Sequence, residues 1–486
     1  MENDEEAPAP VRRGGGRLLI ASVAGCAVLG GVLMLLPSER THTRAPAPAP
    51  GAQAHSAVVA GVPAALPGLA ALIGEREARV RAHPEDAGSW AVLGTAYVEQ
   101  GRRTADPAYY PRAEAALRTS LKVRGKGNAE ALGGLAALSN ARRDFRAAKA
   151  WAEAARAARP RRWTTYPLLI DAYTGLGDQQ AARAALDRLL KLRSGPDVLA
   201  RAAAVYRDRG RREDAAAALS DAAAGARAPA ERAAYLERSG QLAWERGERE
   251  DALRYFREAV RLDPDQRAAQ AGQGRVLAAL GRTTEALNAY RVALAGQPCP
   301  QYALELGELY ESLGLGQAAR VQYDLLRARV RVAAEGGADE ELVLGLFEAD
   351  HGDASVAVRR LRAEWDRQPG IAVADALGWA LHRAGRDEEA LRFAAVATDQ
   401  AKGGGVRSAP YAYHRGMIER GVQRYGPARR HLQEALRINP YFSPVHVRTA
   451  RAALAELGEP SVADVPAMDA EGWGTAAGLP SLSDFW

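Results

Sequence analysis

The strongest constraint on this chain is a pattern that occurs twice in succession between Ala233 and Pro298. The first copy carries Leu236, Gly240, Gly247, Ala252, Phe256, Ala259 and Pro264, and the second carries Gly274, Leu277, Gly281, Ala286, Tyr290, Ala293 and Pro298. Each shared landmark, from Gly240/Gly274 to Pro264/Pro298, recurs after 34 residues. A chain that repeats itself at this spacing does not build one globular core; each unit buries its apolar face against the next.

The residue types explain the unit. Two short amphipathic helices cross closely only where the crossing carries small residues, so Gly240 and Ala252 face each other and Phe256 fills the adjacent gap. Gly247 lets the chain turn between the helices, and Pro264 stops the second helix. This period, with these residues, resembles the tetratricopeptide repeat, and the chain as a whole resembles a bacterial membrane-anchored protein of that family. The resemblance implies an all-α superhelical solenoid of helix hairpins.

The same landmarks align about ten units over residues 87–440, from Trp90, Leu93, Gly94 and Tyr97 in the first to Gly416, Ala428, Leu432 and Ala435 in the tenth. The first unit has extra residues between Arg102 and Pro111, and further insertions fall at Ala226–Arg232, Val332–Asp339 and Thr398–Ser408. Residues 68–86, with Leu69, Leu72, Ile73 and Val80 on one face, are expected to cap the array at its start, and residues 441–458 to close it. Residues 37–67 are rich in Ala and Pro and read as an extended linker. The last segment, 459–486, holds five acids, no Lys or Arg, and several glycines, which discourage regular structure.

Near the N-terminus, Leu18 to Leu36 contains no charge. Nineteen such residues at 1.5 Å per residue span roughly the 30 Å core of a bilayer, so one transmembrane helix is expected over 18–36. Arg12, Arg13 and Arg17 precede it, which favours a cytoplasmic segment 1–17 and an array outside the cytoplasm. A cleaved signal has a shorter apolar region. Val23, Ala24, Gly25 and Cys26 resemble a lipoprotein acylation site, but the sequence stays apolar beyond Cys26.

Composition excludes little by itself. Net charge is +6, yet only five of the 65 basic residues are lysine, and many arginines alternate with acids, as in Glu248–Asp251 followed by Arg254, Arg257 and Glu258. No uninterrupted basic face is present, so no nucleic-acid partner is expected. Cys26 and Cys299 are too differently placed for a disulfide, and they leave the redox compartment open.

Motifs for catalysis are missing in context. Gly314, Gly316 and Ala319, like Gly272-Gln273-Gly274, fit a dinucleotide fingerprint formally, but each belongs to a repeat helix or turn with no strand before it. Asp350, His351, Asp353 and His382 come late in neighbouring first helices and are the one loose set of metal-type residues. No P-loop or nucleophile elbow occurs. The expectation is a protein that is not an enzyme and carries no cofactor or metal, with a metal- or small-molecule-dependent enzyme as a further alternative.

The resemblance places functional residues in a groove lined by the first helix of each repeat. Carried onto this chain, the groove positions include Asp171, Trp244, Arg275, Glu308, Trp379, His382, Tyr413, Met417 and Arg420. Trp244, Trp379 and Tyr413 are either water-facing binding anchors or packing against neighbouring repeats, and the sequence leaves both open. The family's carboxylate clamp is absent, with Ala91 and Thr95 where its Lys and Asn would stand. The resemblance implies a membrane-anchored scaffold that binds a protein or peptide, with no small-molecule substrate. An alternative follows from Leu72 to Leu93, which is similar to the repeat domain of cytochrome c maturation factors that hold unfolded apocytochrome.

Overall fold

Small residues at a fixed spacing set the helix crossings here, and the computed structural model shows what each crossing holds. It describes residues 49–399 and 405–458, which fall in a compact unit beginning at Ala49. The expected transmembrane helix, the segment before it and the acidic segment 459–486 lie outside the described residues. Among the described residues, no helix is long and apolar enough to cross a membrane, and every regular element is an α-helix.

Two helices open the unit, α1 (Pro50–Ala60) and α2 (Leu66–Ala82). Ten hairpins follow. Hairpins 1 to 5 are α3 (Ala87–Thr104) with α4 (Tyr109–Val123), α5 (Ala129–Ala141) with α6 (Phe145–Ala158), α7 (Thr165–Gly175) with α8 (Gln179–Leu192), α9 (Pro196–Asp208) with α10 (Arg212–Gly225), and α11 (Pro229–Glu245) with α12 (Arg249–Leu262). Hairpins 6 to 10 are α13 (Arg267–Ala279) with α14 (Thr283–Gly296), α15 (Pro300–Ser312) with α16 (Gly316–Glu335), α17 (Glu341–His351) with α18 (Ala354–Arg367), α19 (Ile371–Arg383) with α20 (Asp387–Thr398), and α21 (Ala409–Gly421) with α22 (Tyr425–Ile438). A closing helix, α23 (His446–Glu456), ends the described chain.

Phe256 shows why the pattern needs glycine. Its ring is fully buried, and a Cβ added at Gly240 or at Gly272 would come within 2.7 or 2.5 Å of it. One aromatic ring therefore joins its own hairpin to the next, because both neighbouring first helices leave it room. Between helices, Gly247 takes φ +79°, a left-handed conformation that glycine adopts without cost. Arg143 and Gln423 hold the corresponding turns of hairpins 2 and 10 at φ 59° and 61°.

The segment 37–67, read above as an extended linker, is helical over Pro50–Ala60. Its small residues Ala54 and Val58 are buried because α2 supplies the large partners Leu69 and Leu72, with Ala96 of α3 completing the cluster. A helix with no large apolar residue of its own still packs when its neighbour brings them. At the other end the closing helix starts at His446, later than expected, because Pro440 and Pro444 keep Tyr441 to Val445 irregular.

The hairpins coil so tightly that one superhelical turn rests on the next. The hairpin turn of each of the first five units meets the loop that closes the unit five further on. In hairpin 1, the Arg102 carbonyl accepts from Gln297 Nε2 at 2.9 Å. In hairpin 2, Arg142 donates through Nε to the Gly336 carbonyl at 2.9 Å, and its own carbonyl accepts from the Asp339 amide at 2.9 Å. Gly177 of hairpin 3 lies against the Pro369 carbonyl and Gly210 of hairpin 4 against that of Gly405; a Cβ at either would approach these oxygens to 2.6 and 2.5 Å. In hairpin 5, Asn439 Nδ2 donates to the Trp244 carbonyl at 2.8 Å. The turn glycines thus serve twice, bending the chain and letting the next coil approach backbone to backbone.

The insertion at Val332–Asp339 belongs to this seam. It lengthens α16 to Glu335 and presents Gly336 to Asp339 to the turn of hairpin 2, where Arg143 also pairs with Glu340 at 2.9 Å. The seam carries a buried ion pair as well. Arg103 Nη2, in the last turn of α3, stands 2.8 Å from Oδ2 of Asp263, just after α12, and both side chains are less than a tenth exposed.

Candidate functional site

Closure of the coil turns the concave groove into a chamber. First helices of hairpins 4 to 7 form one wall, and the opposite wall comes from the next turn: the start of α21, the irregular segment after α22, and α23. The cavity measures about 680 Å³, within the range typical of ligand sites. A second cavity of about 500 Å³ shares Arg207, Gln301, Val406 and Tyr411 with it and continues toward hairpins 8 and 9.

Ion pairs pre-set the polar wall. Arg207 of α9 grips Glu245 of α11 with both Nε and Nη2, at 2.8 and 2.6 Å. Arg275 of α13 holds Glu305 of α15 at 2.8 and 3.0 Å through Nη2, and its Nη1 donates to Gln241 Oε1 at 2.7 Å. Such two-point guanidinium–carboxylate pairs are the strong kind. Each links neighbouring hairpins at the level of the groove. Burial pushes the Glu245 carboxyl up, but Arg207 beside it prevails and holds it below the usual range. Among the described residues Glu308 has no arginine partner; burial raises its pKa against the opposing pull of His351, whose Nε2 is 3.6 Å away.

The other wall is aromatic and proline-rich, with Tyr411, Tyr441, Phe442 and Pro444 lining the cavity. Arg249, from the turn of hairpin 5, stacks its guanidinium 3.9 Å over the Tyr441 ring and so ties this wall to the first coil. Across the cavity lies the Trp244 ring, 6% exposed, with Arg275 Cζ 6.0 Å from its centroid.

Of the nine groove positions expected from the sequence, Trp244, Arg275 and Glu308 line this chamber. Asp171 is elsewhere, ion-paired with Arg201 of the next hairpin. Trp379 and Tyr413 are each about 1% exposed and pack in the core of the last hairpins, so the packing alternative holds for both. The reason is local: Trp379 donates Nε1 to Asp350 Oδ1 at 2.9 Å and stacks 4.4 Å from the His414 ring, while Tyr413 stacks on His446 at 5.2 Å. Met417 is buried in the same core. His382 bonds Asp387 at 2.5 Å, and Arg420 pairs with Glu456 of α23.

The metal-type residues do not converge either. Asp350 serves Trp379 and His446, His351 lies between Glu308 and Glu311, and Asp353 caps α18 through the Ser355 amide at 2.8 Å. Burial works to raise the Asp350 pKa, but the His446 contact and the Trp379 hydrogen bond prevail and bring it to about 2. Among the described residues, no three His, Cys, Asp or Glu side chains are grouped to hold a metal ion.

Sequence reasoning missed most of the chamber. Gln241 stands at the repeat position of Arg275, Arg207 at that of Trp244, and Glu245 directly follows Trp244; an ion-pair search between adjacent first helices would have found them. The wall from Tyr411 and Tyr441 to Arg451 has no signal in any single repeat, because it faces the groove only through closure of the coil.

Residues 237–303 and 272–330 match the family model of the tetratricopeptide repeat. That match supports a tetratricopeptide-type helical solenoid, an architecture that serves protein–protein interaction. No curated protein sequence matches the chain. Among solved structures, it is similar to the human IFIT1 dimer with PPP-AAAA, at 18% identity over 65% of this chain and 73% of that one, with a TM-score of 0.44. MamA is similar at 21% identity, over 34% and 97% of the two chains, with a TM-score of 0.29. A tetratricopeptide repeat protein from Parabacteroides merdae is similar at 16% identity, over 54% and 99%, with a TM-score of 0.32.

Proposed function

We propose that the chain is a scaffold that encloses an extended segment of a partner protein in the chamber between its superhelical turns. The observation that carries this reading is the pairing of walls: a polar wall whose arginines are held by Glu245 and Glu305, facing an aromatic wall of Tyr411, Tyr441 and Phe442. Fixed amide and carboxylate groups such as Gln241, Gln301 and Glu308 suit a peptide backbone, while the aromatic rings give side chains a surface to cover. Arg207 and Arg275 are neutralised within the array, which disfavours a phosphate chain as the occupant. In this reading the segment 18–36 anchors the chain in the cell membrane, and the array works outside the cytoplasm.

The test is photo-crosslinking in the full chain, with the reactive group at Trp244 or Tyr441 and a control at exposed Arg188 on the outer helix α8. Partner proteins should be captured from the two chamber positions and not from Arg188. Capture from Arg188 alone, or from all three positions equally, would place the interaction on the outer face. Recovery of unfolded apocytochrome c from the chamber positions would favour the holdase alternative.

A further inference from the structure

The chamber has one unbalanced feature. Arg207 and Arg275 are ion-paired, but Arg448 and Arg451 of α23, which line the same cavity, are exposed and bond only carbonyls among the described residues. Arg448 donates to the Ser312 carbonyl at 3.1 Å and Arg451 to that of Pro440 at 3.2 Å. Two guanidinium groups without carboxylates, beside half-buried Tyr441 and Phe442, suit an acidic segment with aromatic residues.

Such a segment follows directly in the chain. Residues 459–486 begin eight positions after Arg451 and contain Glu459, Asp464, Asp469, Glu471 and Asp484, with no Lys or Arg. Their last five residues are Leu482, Ser483, Asp484, Phe485 and Trp486, an acid flanked by large apolar groups. Twenty-eight residues reach at most about 100 Å when extended, so the segment has ample length to fold back into a cavity bordered by the helix it leaves. Tethering raises its local concentration to the order of millimolar, so an intrinsic Kd of about 1 mM already fills the site half the time.

We infer that the chain's own segment 459–486 docks into the chamber, its carboxylates on Arg448 and Arg451 and its final aromatic residues against Tyr441 and Phe442. The segment then competes with an external peptide for the same walls. That last consequence rests on the peptide-binding reading given above; the docking itself does not.

The experiment uses the full chain with a photo-crosslinking residue in place of Phe485. Crosslinks should fall on peptides carrying Trp244, Tyr441 or Phe442, within single molecules, and at a yield independent of dilution. The double variant Arg448→Glu/Arg451→Glu should lose them while keeping its helical circular dichroism, since both side chains are exposed. Reversing Asp464, Asp469 and Asp484 to Lys in that background should restore them. Crosslinks that lie elsewhere, that join two copies and fade on dilution, or that survive the arginine reversal would each overturn the inference. A docked segment, together with no partner captured at Trp244 even in the Arg448→Glu/Arg451→Glu variant that releases it, would leave this inference standing and remove the peptide-binding reading; capture at Trp244 with no docked segment would do the opposite.

Discussion

Asp263→Ala is expected to destabilise the array by about 3–5 kcal/mol, far more than loss of a surface ion pair. Asp263 and Arg103 are 160 residues apart, yet their buried side chains meet at 2.8 Å across the seam between coils. Removing the carboxylate leaves a guanidinium with its charge buried and uncompensated, which is the costly half of a buried pair. Asp263 also accepts from the Asp265 amide at 3.1 Å, so the same change loosens the bend that leads into hairpin 6. Urea unfolding followed by circular dichroism reads the effect as a lowered midpoint. The double variant Arg103→Met/Asp263→Leu should recover most of the loss, because an apolar pair of similar volume needs no charge partner. Equal midpoints for the single variant and the parent chain would mean that this buried pair contributes nothing to stability.

Phe256→Ala is the second large effect, at about 3–5 kcal/mol. The ring fills the space that Gly240 and Gly272 leave, so truncation opens a cavity between two hairpins and not merely within one. Apart from the seam, each hairpin is held by its own core and by its sequence neighbours, and this residue supports both terms. Unfolding should therefore split, with the hairpins on either side of Phe256 losing amide protection at different urea concentrations in hydrogen exchange. A single cooperative loss, shifted only slightly, would show that the neighbouring hairpins collapse onto the vacancy.

The sequence carried the hairpin well. Glycine at 240 and 274, alanine at 252 and 286 and an aromatic at 256 and 290 are side-chain choices forced by a close helix crossing, and the structure places them at those crossings. Closure of the coil was not legible, for a physical reason. It accumulates from a small rotation at each unit, and it is sealed by backbone groups such as the carbonyls of Pro369, Gly405 and Trp244, which have no residue signature. The same gap explains the groove positions. Trp379 stands where Gln241 and Arg275 stand in hairpins 5 and 6, but those two line the cavity, whereas Trp379 is covered by His414 and bonded to Asp350. Helix α1 escaped notice because its burial depends on Leu69 and Leu72 of another helix.

The array is coiled turn on turn, so that its groove is a chamber. The most direct measurement is a distance between spin labels at Arg146 and Asp366, exposed residues 220 positions apart whose side chain and carbonyl meet at 2.9 Å across the seam. A closed coil predicts one narrow distribution at the short end of the measurable range. A broad distribution centred several tens of ångströms out would mean an open solenoid, with no chamber for a peptide to enter.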